Sequence, residues 1–217
     1  MLDYILSAAL WLAPGAVIAQ DHAMAGSADA VEAAAELAVD LGPQVGAYAP
    51  SGWIAADQTG AMRDLSSLSG PNGVVIFFNR SLDWCPVCQR QAMEIEAQYD
   101  DFAERGYGLA VLTTDAWEKN ARFAGRNASR TVLLSDPDSA IIAEFDILDP
   151  VFIGRSGRFE GLPYPVAFVL SPDGVVLQKF WHEPGYGQNR GYRGRVSTDD
   201  IIAALDTLPS AIPAPAE

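Results

Sequence analysis

Val74-Val75-Ile76-Phe77-Phe78-Asn79-Arg80-Ser81-Leu82-Asp83-Trp84-Cys85-Pro86-Val87-Cys88 carries an unbroken apolar run into a pair of thiols three residues apart. Five consecutive large apolar residues after the turn cluster Gly70-Pro71-Asn72-Gly73 read as a central strand covered on both faces. The stretch after Cys88 reads as a helix up to Gly106. Its apolar positions Ala92, Ile95, Tyr99 and Phe102 step by three and four, and Gly106 suits the residue just past the helix end. The two cysteines therefore sit where a buried strand gives way to a helix.

Outward from this point the pattern repeats. Residues 109–112 read as a second buried strand, 116–124 as a short helix and 131–134 as a strand. Asp136-Pro137-Asp138 opens a helix over 139–145. Residues 166–170 and 175–180 read as strands joined by Ser171-Pro172-Asp173-Gly174, a hairpin turn. Ser197 with Asp200 forms a capping box for a last helix over 198–208. Strands alternating with helices, then a hairpin and a helix, define an α/β sheet with helices on both faces.

The ends differ from this core. Residues 4–19 are apolar but short of the roughly 20 residues a membrane span needs, and Pro14-Gly15 break them. Residues 1–19 read as a secretory signal, with Asp3 standing where a basic residue is usual, and so as a mark of an exported, periplasmic protein. Residues 20–43 form an extension with a helix over 27–40, the folded domain runs over 44–208, and 209–217 form a Pro/Ala-rich disordered tail.

The 217 residues carry 14 Lys and Arg against 28 Asp and Glu, a net charge of −14. That balance argues against nucleic acid or an anionic membrane as partner. Two cysteines exclude a disulfide-rich scaffold and a four-thiolate zinc site. A lone CxxC can also be half of a zinc site or a structural disulfide. Only His22 and His182 are available to complete a zinc site, and the loop a disulfide would close is too small to constrain the unfolded chain much. Redox chemistry suits the pair best. At the first turn of a helix Cys85 faces unpaired N–H groups and the positive end of the dipole, which favour thiolate. Cys88, one turn on, can resolve a mixed disulfide formed at Cys85. Pro86 fits the first helical turn, and Trp84 reads as a packing and shielding residue at the rim. Arg80 and Arg90 favour a thiolate, whereas Asp83 opposes it. No metal and no cofactor are required.

Beyond the cysteine pair, residues 45–208 resemble the AhpC/TSA branch of the thioredoxin-like superfamily, in particular peroxiredoxin-like redoxins with a CxxC. Four pieces carry the resemblance: Gly46-Ala47-Tyr48-Ala49-Pro50, residues 80–88, residues 133–139 and residues 164–174. It implies a thioredoxin-like fold, a central mixed β-sheet flanked by helices, with Cys85 as attacking thiol, Cys88 as resolving thiol and Pro165 as a cis-proline beside the site. One departure matters. The peroxiredoxin string Pro-x-x-x-Thr/Ser-x-x-Cys finds Ser81 and Cys85 when read back from Cys88, and Phe78 and Leu82 when read back from Cys85. For Arg80 two roles are open, donor to peroxide oxygens or surface counter-ion.

Three activities follow in order: thiol–disulfide exchange with a protein partner, thiol-dependent reduction of hydroperoxides, and copper binding through Cys85, Cys88 and His182. His182-Glu183 reads as an exposed pair, a proton relay or a metal site. Residues 184–195, with Arg190, Arg193 and Arg195, read as a basic loop that is flexible, docks an acidic partner or covers the site. Residues 152–164 form a long loop suited to the rim of a substrate site. Oligomeric state is not legible.

Overall fold

The computed structural model describes residues 39–209. The signal reading, nearly all of the 27–40 helix and the tail lie outside the described residues. No described helix is long and apolar enough to cross a membrane.

In chain order the elements are β1 (Ala55–Ala56), β2 (Met62–Arg63), α1 (Leu65–Leu68), β3 (Gly73–Phe78), α2 (Pro86–Ala97), α3 (Tyr99–Glu104) and β4 (Tyr107–Thr113). Next come α4 (Trp117–Asn127), β5 (Val132–Ser135), α5 (Ala140–Glu144), β6 (Val166–Leu170), β7 (Val176–Trp181) and α6 (Thr198–Leu205). The strands form one sheet in the order β2-β1-β5-β4-β3-β6-β7. β3, β4 and β5 are parallel, and β6 runs antiparallel to β3 with Phe78 opposite Val166. The sheet is mixed, as expected. The short β1–β2 hairpin was not foreseen from the sequence. It is held by Asp57, whose carboxylate accepts from Thr59 N and Ala61 N and pairs with Arg63 at 2.7 Å.

β3 explains why an apolar run without alternation is needed. Val74, Ile76 and Phe78 face one core with Phe145, Phe168 and Ile142, while Val75 and Phe77 face another with Ile95, Phe102 and Leu205. All five are essentially inaccessible to water. Each buried side chain of this size contributes roughly 1.5–3 kcal/mol, so the strand is the mechanical base of the cysteine segment. Gly73 starts it at φ +118°, where a Cβ would overlap the Leu170 carbonyl oxygen; only glycine fits there.

The helix expected up to Gly106 is two helices. Gln98 leaves helical geometry (φ −106°, ψ 16°), and its N–H is shared between the Glu96 and Ile95 carbonyls. The three-and-four spacing continues across this break, so periodicity alone cannot show it. Gly106 ends α3 at φ +74°, with its N–H on Ala103 O, in the expected role. The helix expected from 139 is capped by Asp136, whose carboxylate accepts from Ile142 N at 2.9 Å, because Ser139 is left-handed (φ 56°) and makes no side-chain cap. At α6, Ser197 accepts from Asp199 N in place of the expected box with Asp200.

Glu96 ties the cysteine-bearing helix α2 to the sheet. Its carboxylate accepts from Thr131 N and Oγ1, Arg130 N and Ser129 Oγ at 2.7–3.0 Å. Burial alone would push its carboxyl up, yet the hydrogen bonds from Thr131, Arg130 and Ser129 outweigh it and hold the group below the ordinary range. Glu96→Gln is expected to cost about 1–3 kcal/mol at pH 7, read as a lower urea midpoint. Because the folded-state value is depressed, this contribution is complete above the unfolded value near ~4.3 and is lost as pH falls through the folded one. The gap between wild type and variant should therefore narrow at pH 3.

Candidate active site

Cys85 occupies the N-cap of α2 in extended geometry (φ −102°, ψ 101°), and Pro86 fills the first helical position. The Cys85 sulfur takes the part an oxygen usually plays at this position: it accepts from Cys88 N at 3.3 Å. Cys85 and Cys88 are joined in a disulfide with Cα atoms 5.3 Å apart. The sulfurs are not equivalent. Cys85 faces a hollow of about 630 Å³, while Cys88 is fully buried and does not line it. Of the two sulfurs it is Cys85, named from the sequence as the attacking thiol, that borders the hollow.

The loop before Cys85 is set by two buried groups. Ser81 Oγ donates to Asp115 at 2.8 Å and accepts from Asp83 N and Trp84 N. The second Asp115 oxygen accepts from Leu82 N at 2.6 Å. Burial pushes the Asp115 carboxyl above its ordinary value, against the hydrogen bonds from Ser81, Leu82 and Asp83. Asp83, expected to oppose a thiolate, points its charge at Lys119 instead, 3.0 Å away. Trp84 lies at the rim as expected, edge-on to Phe159 at 5.7 Å, with Arg158 over its ring.

Arg80 is not the surface counter-ion of one sequence reading. It is 1% exposed and pairs with Asp149 at 2.5 Å. Its guanidinium carbon lies 4.2 Å from the Phe152 ring centre and 3.8 Å from that of Tyr192. Burial pulls Arg80 below its ordinary value, Asp149 opposing, and burial pushes Asp149 up. Arg80 thereby anchors the 150–161 segment and the 184–195 loop, both of which border the hollow.

The 184–195 loop folds onto the site. The buried Tyr164 hydroxyl donates to His182 O at 2.6 Å, which pins the loop at its start. At its end Arg195 donates to Gln91 Oε1 (2.7 Å), Asn79 Oδ1 (3.4 Å) and the Cys88 sulfur (3.7 Å). Burial, reinforced by the like charge of Arg80, lowers Arg195 to about 10, so it remains a cation at neutral pH. Sequence reasoning placed Arg195 only within a basic loop and missed its contact with Cys88. It also missed Asn79, Gln91, Ser81, Asp115 and Asp149. Arg193 reaches the hollow, with Arg90 and Arg158.

Two expectations are corrected. The peptide before Pro165 is trans, there being no cis peptide bond among the described residues. Trans is the lower state for X–Pro by about 0.5–1 kcal/mol, and the extended lead into β6 is held by Tyr164 N donating to Ile147 O at 2.7 Å. Pro165 keeps its place one residue before β6, at the sheet end from which the cysteine segment departs. The copper grouping is not assembled either. Among the described residues no three His, Cys, Asp or Glu side chains come together as a metal site, and His182 is exposed.

A mixed sheet with a CxxC disulfide at the start of the helix after its central strand defines a thioredoxin-like protein. The chain belongs to the AhpC/TSA family, whose model matches residues 45–179. It is 26% identical over 147 residues to the 1-Cys peroxiredoxin PER1 of Hordeum vulgare, a match covering 64% of this chain and 62%, less than two thirds, of the barley protein. It is 24% identical over 158 residues to the thiol-disulfide oxidoreductase ResA of Bacillus cereus, covering 71% of this chain and 79% of that one. The solved structure of peroxidoxin BcpB from Mycobacterium tuberculosis superposes with a TM-score of 0.61 at 24% identity, over 79% of this chain and all of that one, which supports the fold.

Proposed function

We propose that the protein is a thiol–disulfide oxidoreductase that cycles between the Cys85–Cys88 disulfide and the dithiol. The observation that carries this reading is the asymmetric pair itself: one sulfur opens to a cavity, and the other is buried against a cationic guanidinium. In the reduced protein the Cys85 thiolate, stabilised by the helix N-terminus, attacks a partner disulfide. A Cys85–partner bond forms and one partner thiolate leaves. Cys88 then gives up its proton to solvent, Arg195 favouring the anion, and attacks the Cys85 sulfur. The protein disulfide closes, the second partner thiolate leaves, and two electrons have passed to the partner.

Reduction of hydroperoxides by the same sulfurs is the second reading, and the peroxiredoxins among the relatives support it. Against it, Cys85 stands where the peroxiredoxin string read from Cys88 has a hydroxyl residue, and Arg80 is bound to Asp149. Residues 1–19 support the inference that the exchange takes place after export. The test is stopped-flow Trp fluorescence of the reduced protein, with Trp84 beside Cys85 as reporter. Oxidised thioredoxin should oxidise it at least about tenfold faster, per mole, than hydrogen peroxide. The opposite order would establish the peroxidase.

A further inference from the structure

The hollow at Cys85 has a charge that the rest of the chain does not lead one to expect. Three of the 14 Lys and Arg line it, Arg90, Arg158 and Arg193, and no Asp or Glu does, in a chain of net charge −14. All three are exposed, and none is in an ion pair among the described residues, unlike Lys119, Arg105 and Arg130 elsewhere. The other walls include the rings of Trp84, Phe159 and Tyr192. Its volume of about 630 Å³ falls within the range of small-molecule sites. Cys85 at its base is 3% exposed and lies within reach of a compact thiol seated in the hollow.

We infer that the hollow is a binding site for a small carboxylate-bearing thiol, which reduces the Cys85–Cys88 disulfide. This rests on the oxidoreductase reading and adds the class of co-substrate. The carboxylate is held by Arg90, Arg158 and Arg193 while the thiolate, RS⁻, attacks the Cys85 sulfur. The Cys85–Cys88 bond breaks, RS–Cys85 forms, and the electron pair leaves on Cys88, whose thiolate Arg195 stabilises. A second RS⁻ attacks the thiol's own sulfur in the mixed disulfide, releasing RSSR and the Cys85 thiolate. Two thiolates are oxidised and one protein disulfide is reduced.

The experiment reduces the oxidised protein with 3-mercaptopropionate, 2-mercaptoethanol or cysteamine, followed by Trp fluorescence. Each rate is divided by that thiol's rate with 2,2′-dipyridyl disulfide, an uncharged disulfide, which removes differences in intrinsic reactivity. At low ionic strength the anionic thiol should exceed the neutral one by about tenfold, a preference that falls in 0.5 M salt. The Arg90→Gln/Arg158→Gln/Arg193→Gln variant should bring the ratio to about one. Single Arg→Gln variants should lower it in part. The general field of an acidic protein gives the reverse order, so a ratio at or below one in the wild type overturns the proposal while leaving the oxidoreductase reading intact. A ratio that the triple variant does not change also overturns it. A ratio of one, together with slower reduction of the variant by an acidic protein dithiol, would assign the arginines to a protein partner instead. If none of the three thiols reduces the protein, the proposal is overturned, and the oxidoreductase reading fails with it only if dithiothreitol also leaves the disulfide intact.

Discussion

Cys85→Ser is expected to lower disulfide-exchange turnover by about a thousandfold or more, because a serine hydroxyl supplies no comparable nucleophile near neutral pH. Cys88→Ser should behave differently. Cys85 can still attack, but no second thiol releases the partner, so a stoichiometric mixed disulfide accumulates and is seen as a mass increment on Cys85. The structure makes the opposite assignment a real competitor. Cys88 has Arg195 at 3.7 Å, while Cys85 has the helix N-terminus and the Cys88 N–H at 3.3 Å. Each sulfur has a neighbour that favours its anion; access separates them, since of the two only Cys85 lines the cavity. An adduct that forms on Cys88 in the Cys85→Ser protein, with none on Cys85 in the other, would reverse the roles.

What the sequence shows of this site follows chain proximity. β3, the CPVC turn and α2 are contiguous, and the apolar run, the helix periodicity and Pro86 were enough to place both sulfurs and Trp84. The hairpin at 171–174 was legible for the same reason: Ser171 and Gly174 close it locally, with Gly174 N on Ser171 O. The groups that tune the sulfurs come from far along the chain. Arg195 meets Cys88 across 107 residues and Asn79 across 116; Asp149 meets Arg80 across 69. No periodicity encodes such pairs. A glycine-rich segment with three arginines reads equally well as a free loop, and its place over the site follows from Tyr164 and Arg80. The trans bond before Pro165 marks where resemblance went further than the residues. The apolar run that reveals β3 does not reveal that Asn79 and Arg80, just past its end, are buried polar groups.

Asp149→Ala is expected to cost about 3–5 kcal/mol of stability, the largest effect of any single substitution outside the apolar cores. The reason is what it leaves behind. Arg80 is 1% exposed, its Nε has no hydrogen-bond partner, and its NH2 donates to Asp149. Without the carboxylate, a buried guanidinium has only the Phe152 and Tyr192 rings to face, and each cation–π contact gives no more than about 2 kcal/mol even when desolvated. Asp149 also accepts from Val151 N, so the turn at 150–152 loses its cap. In a chain of this size the loss corresponds to a fall in Tm of about 6–20 °C. Arg80→Met/Asp149→Leu separates the charge from the packing. It removes both charges and keeps apolar volume between the rings, and it should recover most of the loss. If Asp149→Ala lies within about 0.5 kcal/mol of wild type, Arg80 finds water or another acceptor and is no anchor for these loops. If the double variant is as unstable as the single one, the cost belongs to the Asp149 cap and not to the stranded cation.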